Sequence, residues 1–151
     1  MRSLVSFMHV SLDGFVAGVN GEMNWIHVDE EIFEYAAQET SNADTALYGR
    51  KTFEMMNAYW PTAGGQPDAS KHDIEHSNWY NCVTKVVVSK SLQGQDSEKI
   101  KIIGDPEEIY KLKQQNGKNI LMFGSPTTAH ALMQHNLIDD YWIFVNPVVL
   151  G

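Results

Sequence analysis

Cysteine is almost missing from this chain. Cys82 stands alone among 151 residues, so no internal disulfide staples the fold, as suits a cytoplasmic protein. Positive charge is scarce as well. Eleven Lys and Arg face nineteen Asp and Glu, a net charge of −8, which argues against a broad surface for nucleic acid or for an anionic membrane. No apolar run is long enough to span a bilayer. The opening MRSLVSFMHV is soon interrupted by Asp13 and has no small-residue cleavage site, so it reads as a first strand and not as a signal peptide. Two phosphate-binding signatures are also absent. There is no G-x-x-x-x-G-K-[ST] and no G-x-G-x-x-G after the first strand, which sets aside a P-loop and a standard Rossmann fingerprint. No repeat, low-complexity tract or linker divides the chain. With 43% hydrophobic and 20% charged residues, residues 1–151 read as a single globular domain with a real core.

What is present alternates between two periods. Segments 3–10, 44–48, 84–89, 100–103, 118–123 and 140–146 are short and apolar or β-branched, as buried strands are. Between them lie helical patterns. In 30–40, Ile32, Phe33, Ala36 and Ala37 form one stripe. Segment 105–115 opens with Asp105-Pro106-Glu107-Glu108, an N-cap, a first-turn proline and a capping-box acid. Segment 125–136 opens with Ser125-Pro126 and can close at Asn136 in a left-handed conformation. Strands alternating with helices imply a largely parallel, helix-flanked sheet. Residues 60–83 break the rhythm. Pro61, Gly64-Gly65 and Pro67 predict a loop, followed by a short helix around 69–80.

Ligands of open parallel sheets bind where strand carboxyl ends meet helix starts. Three such junctions stand out: Gly49-Arg50-Lys51-Thr52, Ser89-Lys90-Ser91 and Gly124-Ser125-Pro126-Thr127-Thr128. Each offers backbone N–H groups, hydroxyls or cations, and none contains an acid. A cation at a helix start opposes the helix dipole unless an anion sits among the free N–H groups. Together the junctions describe a cleft for a long polyanion, with a phosphate by Arg50 and Thr52 and a pyrophosphate near Gly124 to Thr128. A zinc site has one candidate. His72-Asp73-Ile74-Glu75-His76 fits H-x-x-E-H, with both histidines on one helical face, but no third ligand follows downstream; a solvated polar helix is the default, and no metal is expected.

The order SLDGFVAGVNGEMNW (11–25), LYGRKTFE (47–54), KVVVSKSL (85–92) and ILMFGSPTTAHALMQHNLIDDYWIFVNPVVLG (120–151) resembles the dihydrofolate-reductase-like superfamily. The likeness is nearest to the branch formed by the reductase domain of bacterial riboflavin-biosynthesis deaminase-reductases, and it covers essentially the whole chain. The resemblance implies a three-layer α/β/α fold around a mostly parallel mixed sheet, binding NADPH. It assigns Gly49, Arg50, Lys51 and Thr52 to the cofactor's phosphates, with Arg50 and Lys51 around the adenosine 2′-phosphate, which a planar guanidinium grips well. Ser89, Lys90 and Ser91 become the adenine-side wall. Gly124, Ser125, Pro126, Thr127 and Thr128 become the pyrophosphate turn, with Ser125 standing where the family usually has a second glycine. Residues 16–25 become the mobile loop over the nicotinamide, with backbone contacts from Ala17 and Gly18 and with Trp25 lining that site. The proton-relaying carboxylate is then Glu30 or Asp29, each able to share a face with Phe33 and point into the cleft; Asp29 is also the N-cap candidate.

Departures bear on the substrate. The riboflavin-pathway reductases carry a lysine four positions before the serine of SLDG, where this chain has Phe7, and their second-strand turn lacks the Arg-Lys-Thr run. Phe7, His9, Phe33, Tyr59 and Trp60 suggest an aromatic pocket for a flat heterocycle such as a pterin. The family continues beyond NPVVLG through a Gly-rich turn into two more strands, so an end at Gly151 implies a truncated sheet with an exposed edge. Relatives are often dimers, and a homodimer is expected here. The leading expectation is an NADPH-dependent reductase that transfers hydride to a small pterin- or pyrimidine-like substrate. The alternatives are a non-catalytic NADPH- or pterin-binding module and a zinc hydrolase on His72 and His76.

Overall fold

Large apolar residues occupy consecutive positions in every inner strand, which is possible only where both faces of a sheet are covered. The computed structural model, which describes residues Met1–Gly151, shows this arrangement. Its elements run β1 (Leu4–Ser11), α1 (Glu30–Ser41), β2 (Ala43–Gly49), α2 (Arg50–Ala63), α3 (Lys71–Cys82), β3 (Thr84–Val88), β4 (Ile100–Ile103), α4 (Pro106–Gln114), β5 (Asn119–Phe123), α5 (Pro126–Met133) and β6 (Asp140–Asn146). The strands form one sheet in the order β4-β3-β2-β5-β1-β6. All of its ladders are parallel, so the antiparallel part of the mixed sheet implied by the resemblance is absent from these six strands.

Alternate residues of each strand serve opposite layers. Leu4, Leu47, Val86, Ile103 and Met122 pack against Ile109 and Leu112 of α4 and Ala129 and Leu132 of α5. Their neighbours turn the other way: Tyr48, Val87 and Ile102 meet Phe53 of α2 and Tyr80 of α3. Val5, Phe7 and Leu121 meet Ala36 of α1. The three layers are therefore α4 and α5, the sheet, and α1 to α3. β6 is an outer strand, paired only with β1, and its Tyr141, Ile143 and Val145 are exposed. No helix is long and apolar enough to cross a membrane.

The predicted caps are present. The Asp29 side chain accepts from the N–H of Ile32, and that of Asp105 from the N–H of Glu107. Asn136 sits at φ 52°. The loop predicted to begin at Pro61 is a correction, whereas the helix predicted around 69–80 is present. α2 continues through Pro61 to Ala63, and α3 is a full twelve residues starting from a Ser70–Asp73 capping box. Pro61 is tolerated because it falls in the last turn of α2, and tertiary bonds to α3 hold that turn. Ser77 Oγ donates to Trp60 O at 2.7 Å and Asn81 Nδ2 to Pro61 O at 3.2 Å. Side chain–backbone contacts between two helices are invisible to a local pattern of Pro and Gly.

The amino ends of the strands are pinned by ion pairs that the sequence pattern did not announce. Buried Arg2 pairs with Asp44 and also donates to Thr45 Oγ1 and Lys118 O. Lys113, 5% exposed at its side chain, reaches Asp139 at 2.6 Å and Leu137 O at 2.8 Å. Asp139 in turn accepts from Leu4 N at 2.7 Å. Removing one partner of a buried pair strands the other charge. Asp139→Ala would leave the Lys113 ammonium sealed with one carbonyl, and is expected to cost about 3 kcal/mol in urea denaturation. Lys113→Met is expected to cost clearly less, because the half-exposed Asp139 can rehydrate while the methionine fills the space.

Candidate active site

The carboxyl ends of β1 and β5 and the amino ends of α2 and α5 converge on one cavity of about 450 Å³. β1 contributes Phe7, Met8 and His9, and β5 with its turn contributes Phe123 and Gly124. α1 presents Ile32, Phe33 and Ala36, the stripe read from the sequence. α2 adds Lys51, Thr52, Met55, Met56 and Trp60; α3 adds His72 and His76; the segment after β1 folds over with Val16, Ala17, Met23, Ile26 and Val28.

Two glycines bring the polar ends together. Gly49 ends β2 directly against the start of α5. A Cβ there would lie 2.5 Å from Thr128 Oγ1 and 3.1 Å from Ser125 Oγ, so only glycine allows the contact. Gly124 (φ 60°) and Ser125 (φ 49°) are consecutive left-handed residues. Ser125 thus adopts a conformation usual for glycine, and its Oγ accepts from Thr128 N at the start of α5. The cavity wall consequently places Lys51 and Thr52 beside Gly124, Ser125, Pro126 and Thr127.

The segment between β1 and α1 is tied at both ends. Asp13 accepts from Ser11 Oγ and from the N–H groups of Leu150 and Gly151, and these bonds hold its carboxyl below the usual range. Buried Asn146 accepts from His27 N at 2.8 Å and donates to Val10 O. SLDG therefore builds a turn.

The expected site residues divide. Phe7, His9, Phe33, Trp60, Ala17, Lys51, Thr52, Gly124, Ser125, Pro126 and Thr127 line the cavity. Gly49 and Thr128 stand immediately behind that wall, in contact with each other. Arg50 lies outside it and pairs with Glu54 at 3.1 Å. Gly18 and Trp25 are occupied within their own segment, where Gly18 N and Trp25 Nε1 both donate to Glu22 O. Tyr59 is half-exposed and donates to Asp73. Ser89 bonds to Ser91 Oγ at the end of β3, and Lys90 is exposed beside them, away from the cavity.

The two candidate carboxylates stand apart from the cavity wall. Neither Asp29 nor Glu30 lines the cavity. Asp29 is consumed as the α1 cap and lies 3.5 Å from His27. Glu30 is exposed in the first turn, because the Ile32, Phe33 and Ala36 stripe sets which side of α1 faces inward. The wall contains no Asp, Glu or Arg at all.

Its titratable groups besides Lys51 are His9, His72 and His76, the last two expected from sequence on a solvated polar helix or as a metal pair. Their i, i+4 spacing opposite Trp60 was the available signal. His72 lies stacked on Phe33, with centroids 4.0 Å apart and planes at 13°. His76 packs against Trp60, Trp79 and Phe123. No group of three metal-ligating side chains surrounds them. Burial holds all three imidazoles below their ordinary value, and His76, further disfavoured by His72, is pushed down to about 3.

A histidine whose folded pKa is depressed supports the fold above its unfolded value of 6.5 and withdraws that support as pH falls toward the folded value. Unfolding free energy is therefore expected to decline between about pH 6.5 and about pH 3 more steeply than in His76→Phe. Denaturant titrations of both proteins across that window measure the difference.

Comparison with known proteins places this geometry in a family. Residues 2–151 match the family described as the RibD C-terminal domain. Two Bacillus subtilis (strain 168) proteins are similar over 99% of the chain: YyaP, an uncharacterized protein, at 32% identity over 77% of its own length, and YwjB, also uncharacterized, at 27% over 79%. Among solved structures, a protein from Shewanella sp. PV-4, provisionally described as a riboflavin biosynthesis protein, superposes with TM-score 0.67 at 22% identity, covering 99% of this chain and 80% of that one. A Thermotoga maritima diaminohydroxyphosphoribosylaminopyrimidine deaminase/5-amino-6-(5-phosphoribosylamino)uracil reductase gives TM-score 0.63 at 13% identity, with 99% of this chain matching 46% of the larger protein. These two likenesses bear on the fold. The match along the whole chain establishes that it belongs to the RibD C-terminal domain family, with a dihydrofolate-reductase-like fold.

Proposed function

We propose that this protein is an NADPH-dependent reductase of a small heterocyclic substrate. The observation that carries the reading is the Gly49 contact, which packs the Gly49-Arg50-Lys51-Thr52 turn against the Gly124-to-Thr128 turn. Two helix starts, each with N–H groups lacking helical partners, thereby meet at one end of an otherwise apolar cavity. The residues fit a dinucleotide there. The first turn of α5 suits a pyrophosphate, Gly49 lets the two turns approach, and Lys51 is the single cation on the wall. Arg50 lies next to it, and a 2′-phosphate would compete with Glu54 for its guanidinium. When bound, the dihydronicotinamide supplies a hydride.

The chain's own contribution is placement and exclusion of water. Ile26, Val28, Ile32, Phe33 and Met56 form an apolar part of the wall, beside which a few polar groups act more strongly than in open water. A carboxylic acid on α1 is not at hand, so the proton accompanying hydride would be held at an imidazole of the wall or would enter with water. The riboflavin-pathway reaction named for the Thermotoga protein is the nearest reference chemistry, and the family membership supports a reductase of that general kind.

Titration with NADPH and NADH tests the reading. NADPH is expected to bind at least tenfold more tightly, about 1.4 kcal/mol. Lys51→Ala and Arg50→Ala are each expected to shrink that gap while leaving NADH affinity nearly unchanged. Failure of both nucleotides to bind would remove the reductase assignment. Binding of NADPH with no oxidation by any dihydropteridine or pyrimidine would instead favour a non-catalytic module.

A further inference from the structure

The chemistry of the cavity wall restricts its occupant further. We infer that the aromatic half takes a neutral, flat ring that bears a carbonyl and no phosphate, anchored by one hydrogen bond donated from His9 Nε2. The ring's role as a substrate rests on the reductase reading; the binding itself does not.

Charge excludes the alternatives. A phosphorylated ring brings a dianion, and a protonated diaminopyrimidine brings a cation. Either is expensive to place in an apolar chamber without a counter-charge. The wall offers no Asp, Glu or Arg, and Lys51 stands in the first turn of α2, at the polar end. Phe7 occupies the middle of β1 and is buried, contributing aromatic surface to the wall. The stacked Phe33–His72 pair provides a flat face suited to a ring.

His9 supplies the direction of the one polar contact. Its Nδ1 is buried with no hydrogen-bond partner, and the imidazole packs against Phe144 at 5.1 Å and Phe7 at 5.9 Å between centroids. A proton on Nδ1 would bury an unpaired N–H, whereas a proton on Nε2 leaves only a lone pair unmet, and orphaned donors are the rarer defect. The neutral ring therefore carries its proton on Nε2. No protein group accepts from that nitrogen, and His9 lines the cavity. A donor held in an apolar wall selects an acceptor on the ligand, and a ring carbonyl is the neutral form of one.

Calorimetric titration of the full chain with isatin, a neutral bicyclic dione, and with uridine 5′-phosphate tests this on wild type, His9→Phe and His9→Gln. Isatin is expected to bind at least tenfold more tightly than the phosphate. His9→Phe, which keeps a flat aromatic ring but removes the donor, is expected to weaken isatin about fivefold to tenfold, the usual worth of one net hydrogen bond. His9→Gln, which restores an N–H donor, is expected to recover most of that loss. Thermal melting confirms that both variants fold. Uridine 5′-phosphate binding as tightly as isatin, no isatin binding, or isatin affinity unchanged in folded His9→Phe would each overturn the proposal. NADPH affinity, read separately, keeps the two hypotheses apart: its loss with isatin binding intact strikes the reductase reading alone.

Discussion

The insertion of β5 between β1 and β2 is the constraint from which the rest follows. Its ladders set Phe123 beside Phe7 and Met122 beside Leu47, so three carboxyl ends stop at nearly the same height. Because all run in one direction, every helix start and every strand-end turn of the central sheet lies at that end. The opposite end carries Arg2–Asp44 and Lys113–Asp139. These pairs tie Leu4, Thr45 and Lys118 together and so hold the strands in the register that the site requires. Structural charge and functional polarity thus occupy opposite edges of one sheet.

Within the cavity, two demands are separated by distance along α2. Its first turn places Lys51 and Thr52 on the wall, while Met55 and Met56 one turn later and Trp60 beyond them line an apolar stretch. The same helix can do both because residues four apart share a face. In a molecule of net charge −8, a single cation at the wall gives a local rather than long-range attraction for phosphate, and added salt would screen it within a Debye length of about 8–10 Å.

Much of this architecture was legible because it is local. Strand periodicity, the Asp29 and Asp105 caps, and the left-handed Asn136 are properties of a few adjacent residues, and each reappears in the fold. What escaped depends on partners remote in sequence. Pro61 reads as a helix breaker until Ser77 and Asn81 supply bonds to the last turn of α2. Asp29 and Glu30 read as cleft residues until the burial of Ala36 fixes the rotation of α1. His72 and His76 read as a metal pair or a solvated face until Phe33 and Trp60 close over them. The polar turns at Gly49 and Gly124 were readable as junctions, but their mutual contact was not, since nothing near Gly49 in the chain points to Thr128.

The strand order also has a temporal side. β1 precedes the other five strands in the chain, yet its neighbours in the sheet are β5 and β6, the last of the six in chain order. Until they arrive, the apolar segment Leu4–Val10 has no partner of its own and must be kept from other chains. Pairings of such wide sequence separation delay folding, and transiently unpaired strands invite association. All six strands must be made before this sheet can close, and so a nascent protein of this topology leans on prompt folding or on chaperone cover more than a local helical bundle of equal length would.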